Sequence, residues 1–229
     1  MSFRQRLASA APSKESVVTI GVFDGVHQGH RHLLRNVVEL AGDEFTPVVI
    51  TFANRPITVI RPGTEPSYLT TLEQRVDLIK QQGIELVVCL EFTKELAEVT
   101  AEEFAKLLAD SLNMKGLVLG PDSAIGKDRR GDLAFMKKQG ENLGFWAQTL
   151  DTFEIEGQPV KSRRIREAVS NGNLEICPVL LGRNYYLSGK VVVGDQRGRT
   201  LGFPTANVEV DPEMRLPGDG VYASWAMID

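Results

Sequence analysis

"TIGVFDGVHQGHRHLL", residues 19–34, decides how this chain folds. The apolar run "VVTIGVF" (17–23) reads as a buried strand. Beyond it Leu33, Leu34, Val37, Val38 and Ala41 recur at helical spacing. The junction between strand and helix carries all three histidines of the 229-residue chain, His27, His30 and His32. Gly21 and Gly25 flank Phe23 and Asp24, and glycine lets a backbone turn sharply or approach a ligand closely. A helix that starts near residue 27 or 28 points its free N–H groups and positive dipole end into the junction, which favours an anion. His27 and His30 are three apart and project from one side of the first turn. Two imidazole donors and a helix N-terminus make a phosphate cradle without lysine. His32 has no partner at useful spacing and is expected to be structural or solvent-facing. A zinc site needs more ligands, and neither Cys89 nor Cys177 lies near in sequence.

Strand-like and helix-like segments alternate outward from this junction. "PVVITF" (47–52), "IELVVCLEF" (84–92), "GLVLG" (116–120) and "FWAQTL" (145–150) read as four further strands. Thr71 with Gln74, and Thr100 with Glu103, are capping boxes that open helices, the first stopping near Gly83. "GDLAFMKKQGENLG" (131–144) reads as a helix weakened by Gly140. This order predicts an α/β fold, a mostly parallel sheet with helices on both faces and right-handed crossovers. Ligands of such sheets bind beyond the carboxyl ends of the strands, where "FDGVHQGH" falls. After about residue 182 the pattern changes. "YYLSGKVVVGDQRGRTLGFPTANVEV" alternates short β-type runs with Gly- and Arg-rich turns, the start of an all-β module.

Composition narrows the function classes. At 42% hydrophobic and 24% charged the chain is ordinary globular protein. A net charge of −4 gives no reason to expect nucleic acid or an anionic membrane as partner. Two separated cysteines make no disulfide framework, so a cytoplasmic setting is expected. The first sixteen residues lack the apolar core of a signal peptide, and no apolar run approaches the ~20 residues of a membrane span. "GPDSAIGKD" (120–128) imitates a P-loop, but its glycines are one residue too far apart and Asp128 stands where Ser or Thr is needed. No G-x-G-x-x-G opens a helix. The sequence carries no signal for oligomeric state.

"GVFDGVHQGHRHLL" resembles the G-x-F-D-G-x-H-x-G-H signature of the nucleotidylyltransferases. "TFANRP", "YLTTLEQRVDLI", "LVLGPDSAIGKDRRGDL" and "VKSRRIREAVSNGNLEICPVLLGR" follow in the order and spacing of the bacterial bifunctional FAD synthetases. "SGKVVVGDQRGRTLGFPTANV" is similar to the opening of that family's riboflavin kinase module. The resemblance implies a Rossmann-like nucleotidylyltransferase domain over 1–182 and a riboflavin-kinase-like β-barrel segment over 183–229. It departs from the family's pattern at Asn54-Arg55-Pro56, where P-H-P is usual, and at Arg163, where a threonine meets ATP phosphates. The aromatic residues usual after the G-x-D segment are replaced by Ser123, Ala124 and Ile125. The family's catalytic glutamate lies well beyond the P-T-A-N motif, so the kinase module reads as incomplete and no independent riboflavin kinase activity is expected.

The reaction implied is FMN plus ATP giving FAD plus pyrophosphate. The FMN phosphate has a second pKa near about 6 and is its own nucleophile at pH 7, so no general base is needed. Alignment with the α-phosphorus and neutralisation of the leaving pyrophosphate remain to be supplied. The resemblance assigns these to His27, His30, Ser162 and Arg166. It implies nucleotide contacts from Gly21, Phe23, Asp24, Gly25, Gly120, Asp122, Arg163 and Arg164, and flavin contacts from Phe52, Arg55 and Asp122. Thr205 and Asn207 resemble the kinase module's Mg–ATP ligands. Mg²⁺ is expected to bridge ATP phosphates with few protein ligands, since no acidic cage stands in the sequence. In "KSRRIR", Ser162 is expected to present an N-cap hydroxyl and Arg163 and Arg166 guanidinium forks to phosphate. Two alternatives stand: an HxGH transferase with a different acceptor, and a catalytically weak nucleotide- or flavin-binding homologue.

Overall fold

The computed structural model describes residues 1–228. Its centre is a five-stranded parallel sheet of β1 (Ser16–Ile20), β2 (Thr46–Phe52), β3 (Leu86–Leu90), β4 (Met114–Leu119) and β5 (Trp146–Thr149). The spatial order is β3-β2-β1-β4-β5. The chain runs outward from β1 in one direction and then returns to its other side, so the order reverses between β1 and β4. In such sheets the crevice at that reversal is where ligands bind.

Alternate strand residues feed two cores, one on each face. Val18, Ile20, Val48 and Ile50 face helix α1 (Phe3–Ala8), helix α6 (Ala101–Leu112) and helix α7 (Leu133–Leu143). Val17, Val49 and Val118 face α2 (Gln28–Ala41) and α4 (Leu72–Lys80). Both expected capping boxes form, Thr71 with Gln74 and Thr100 with Glu103. Helix α4 ends at Lys80, three residues before Gly83. Gly140 sits buried inside α7 because the carbonyl of Phe145 crosses where its Cβ would be. Its role is close packing, which outweighs its poor helix propensity.

Several elements were not apparent in the sequence. Helix α1 closes its own capping box through Ser2 and Gln5 and buries Phe3 and Leu7. Short helices α3 (Pro56–Ile60) and α5 (Lys94–Ala97) lie in the connections around β3. A hairpin of β6 (Glu154–Ile155) and β7 (Gln158–Pro159) leads into α8 (Ser162–Ser170) and α9 (Cys177–Leu181). These helices bury Ile165, Val169, Leu180 and Leu181 with Leu69 in a third cluster. Beyond it β8 (Gly189–Val192) pairs antiparallel with β9 (Asn207–Val210), with one helical turn, α10 (Arg197–Thr200), between them. Among the described residues, no helix is long and apolar enough to cross a membrane.

Candidate active site

Strand β1 ends at Ile20, earlier than its apolar run suggested, and the chain folds into a tight buried loop. Phe23, Gly25 and Val26 have φ of 53°, 81° and 37°. Such values are unfavourable for a β-branched valine and persist only where the surroundings over-determine them. Here the loop is anchored on both sides. Val26 N–H donates to the Phe23 carbonyl, and Gly25 N–H donates to the Thr70 hydroxyl. A Cβ at Gly25 would lie 2.9 Å from Leu69 Cδ1. With the positive φ added, Gly25→Ala is expected to destabilise the chain by roughly 1–3 kcal/mol, read as a lower urea midpoint at unchanged slope.

The loop delivers His27 as the N-cap of α2, its Nδ1 accepting from the His30 N–H at 3.3 Å. That bond puts the ring proton of neutral His27 on Nε2. The two imidazoles stack, centroids 3.6 Å apart and 17° between planes, and Phe23 packs edge-on to His30. Burial, then the positive charges of Arg166 and Arg183, push His27 down to about 3. Burial, then His27 and Arg75, hold His30 well below its ordinary value. The pair is therefore neutral at pH 7, and it serves as oriented N–H dipoles rather than as cations. His30 Nδ1 is buried without a protein partner. The first-turn N–H groups of Gln28 and Gly29 cannot reach a carbonyl within the helix.

This neutrality sets a pH dependence. The unfolded chain binds a proton on each histidine near pH 6.5, and the folded chain does not. Stability from the pair is therefore full above pH 6.5 and declines as pH falls from there toward about 3. Between pH 7 and 5 the slope contributed is at most ~1.4 kcal/mol per pH unit per histidine. His27→Asn keeps an N-cap acceptor but cannot titrate, so its urea midpoints should fall less steeply over that window than wild type.

A cavity of about 320 Å³ opens beside the stacked pair. His27, Gly29 and His30 form one wall, Gly21–Phe23 a second, and Gly120–Ser123 with Leu150–Phe153 the far side. It occupies the crevice between the ends of β1, β4 and β5. A second cavity of about 460 Å³ adjoins it across Gly120 and Ser123, toward Lys137 on α7. His32 also reaches the first cavity, 5.5 Å from the Phe153 ring, in an exposed position.

The remaining candidates divide by position. Asp24 is buried, and it ties three elements together. Its Oδ1 accepts from Leu69 N–H at 2.8 Å, its Oδ2 pairs with Arg166 at 2.6 Å, and its carbonyl accepts from the Ser162 hydroxyl at 2.9 Å. The expected N-cap role of Ser162 is corrected: Lys161 is the N-cap of α8 and makes no side-chain cap. The Ser162 hydroxyl is spent on the Asp24 carbonyl because α8 docks directly on the β1 loop. Ser162 still lines the cavity, whereas Asp24, Gly25 and Arg166 lie behind its wall. Arg163 is exposed and bonded to Glu167 one turn on. Arg164 is half-buried, with one terminal nitrogen unpartnered.

Gly120 and Asp122 lie on the cavity rim, the Asp122 carboxylate bonded to Lys161 at 2.7 Å. That ammonium holds the Asp122 carboxyl below its ordinary value. Phe52 and Arg55 stand at the end of β2, on the opposite side of β1 from Asp122. Phe52 is buried edge-on to Phe92, and Arg55 N–H donates to the Tyr68 hydroxyl. The structure thus does not bring these three into one cavity. Asn54 bonds both polar atoms of Phe92, which holds the β2 and β3 ends together. Thr205 and Asn207 are exposed on the C-terminal β segment.

Three groups were missed in the sequence. Lys161 reaches the cavity, and its place in a basic run just before a helix was a usable signal. Thr152 and Phe153 follow β5, where the rule for open α/β sheets would have sent a search. Arg75 is fully buried, donating to the Phe52 carbonyl at 2.7 Å beneath the Tyr68 ring. Nothing in "LEQRVDLI" distinguishes it from a solvated helix residue. Among the described residues, no cluster of three His, Cys, Asp or Glu could hold a metal ion.

Residues 9–164 match the FAD synthetase family, and residues 181–229 match the riboflavin kinase family. The chain is 38% identical over 217 residues to the bifunctional riboflavin kinase/FMN adenylyltransferase of Escherichia coli strain K12, covering 94% of this chain and 69% of that protein. It is 36% identical over 215 residues to the protein of the same name from Pseudomonas fluorescens, covering 93% and 68%. A crystal structure described as a macrolide-efflux protein from Streptococcus pneumoniae superposes with a TM-score of 0.86 at 32% identity, covering 94% of this chain and 71% of that one.

Proposed function

The chain belongs to the FAD synthetase family, and from that premise we propose that it transfers AMP from ATP to FMN, giving FAD and pyrophosphate. The observation that carries this reading is the stacked, neutral His27–His30 pair at the N-terminus of α2, in a cavity at the β1–β4 crevice. A neutral imidazole donates an N–H to a phosphate oxygen without a compensating proton transfer, and the helix end adds its dipole. The FMN phosphate attacks the α-phosphorus, the bond to the β-phosphate oxygen breaks, and pyrophosphate leaves. His27 Nε2 and the Gln28 and Gly29 N–H groups hold the phosphate chain. Lys161 adds positive charge at the rim. Ser162 stands at the cavity beside these groups, and Arg166, paired with Asp24, holds the β1 loop that presents His27 to the phosphates. The adjoining cavity leaves room for a second substrate beside the nucleotide.

Mg²⁺ fits this donor set as an ion carried on the ATP phosphates, since the cavity offers imidazoles and amides rather than a carboxylate cage. When bound it neutralises phosphate charge. We assign residues 1–182 to adenylyl transfer in the cytoplasm and residues 183–229 to a riboflavin-kinase-like segment. Thr205 and Asn207 are exposed there, so we expect no FMN from riboflavin and Mg-ATP. The test is to incubate the protein with Mg-ATP and FMN and quantify FAD and pyrophosphate. Equimolar product supports the reading. ATP binding without product overturns it in favour of a nucleotide-binding role.

A further inference from the structure

We propose that Arg215, from the C-terminal β segment, is a positioning residue for adenylyl transfer; this rests on the function proposed above. Glu213–Arg215 lie parallel to Tyr68 as one rung of a β ladder, bridged at Tyr68 and Met214. Tyr68 N–H donates to the Glu213 carbonyl at 2.8 Å, and Arg215 N–H donates to the Tyr68 carbonyl at 2.7 Å. Met214 is buried, so the contact is packed as well as hydrogen-bonded. The Tyr185 hydroxyl donates to the Arg215 carbonyl and fixes the rung from the other side.

The side chain of Arg215 then reaches α8. Its Nε donates to the hydroxyl of Ser170, the last residue of that helix. The same hydroxyl donates to the Arg166 carbonyl at 2.6 Å. A guanidinium at a helix C-terminus is favoured by the dipole, and it holds the helix along its axis. The first turn and the middle of α8 carry Ser162 and Arg166, both on Asp24. Asp24 in turn holds Leu69, the neighbour of Tyr68. The path closes on itself: Asp24, Arg166, Ser170, Arg215, Tyr68, Leu69 and back to Asp24. Arg215 is its only member from the C-terminal β segment.

Charge makes this closure matter. Arg55 and Arg215 both bring positive charge close to Arg166. The position of Arg166 therefore depends on the bonds that offset that repulsion. Arg215 touches no cavity wall. Its effect on the reaction runs through Arg166 and the β1 loop.

The test is steady-state FAD formation by the full chain, wild type against Arg215→Met, Arg215→Lys and Ser170→Ala, with melting temperatures recorded. Arg215→Met should lower kcat/KM for Mg-ATP about tenfold, the size of one charge-assisted hydrogen bond, with KM for FMN within about twofold. Arg215→Lys keeps a cationic donor and should recover most of the loss. A merely structural role would lower the active fraction, and with it kcat, while both KM values held. That pattern, or unchanged kinetics, overturns the proposal and leaves the assigned function standing. A wild type that makes no FAD overturns both. If Arg215→Met does not fold, Ser170→Ala decides alone, because it keeps the Tyr68 rung and removes only the relay to α8.

Discussion

Replacing His27 with asparagine is expected to slow FAD formation by about 10²–10³-fold while the fold survives, the loss seen when one preorganised donor to a developing oxyanion is removed. His27 has two separable jobs. Its Nδ1 caps α2 by accepting from His30 N–H, and asparagine, a strong N-cap residue, places an oxygen in that role. Its Nε2 carries the ring proton and is the donor proposed for the phosphates, and the shorter asparagine amide does not reach the same point. The substitution therefore removes the proposed phosphate contact and spares the helix start. Pyrophosphate release at saturating Mg-ATP and FMN is the measurement. A rate within a few-fold of wild type would show that the stacked pair does not touch the reacting phosphates. His30→Ala makes a poorer test, because it also removes a half-buried ring packed against Phe23 and His27.

Asp24→Ala is expected to be the most destabilising single change in the site, by about 3–5 kcal/mol. It strips the partner from Arg166, which is only 16% exposed at its side chain. It also leaves the Leu69 N–H without its acceptor in a buried position. For a chain of this length that corresponds to a fall in Tm of roughly 10 °C or more. The double variant Asp24→Ala with Arg166→Met should regain part of the loss, since the uncompensated buried charge goes with the guanidinium. Asp24→Asn should lose less than Asp24→Ala, because its amide oxygen still accepts from Leu69. Urea denaturation at pH 7.5 measures all three. If Asp24→Ala matched wild type, the Asp24 ties would be incidental to stability.

The sheet and its helices were legible because each rests on local periodicity. Strand runs such as "PVVITF" are buried on both faces, and helices such as Ala101–Leu112 carry an apolar stripe opened by a capping box. Elements with weak periodicity were lost: α1 and α3 are too short for a stripe to stand out. In the candidate site the HxGH pair was legible because both histidines come from one turn. Ser162 and Arg166 were read as ligand-facing because a hydroxyl and a guanidinium suit phosphate, and Asp24 because the family resemblance implies a nucleotide contact there. Their actual partners lie about 140 positions away in sequence, at separations of 138 and 142.

By itself the sequence determined the parallel sheet and the placing of His27 and His30 at the first strand's carboxyl end, which follow from neighbours along the chain, and the family, which follows from motifs in a fixed order. Tertiary structure alone decided that the histidines are neutral, that Asp24 is a buried tie, and that Arg215 joins the path around it. Those properties depend on burial and on the charges of Arg75 from α4, Arg166 from α8, and Arg183 and Arg215 from the C-terminal segment. Desolvation and long-range ion pairing are set by what packs against a group, and no local spacing encodes that.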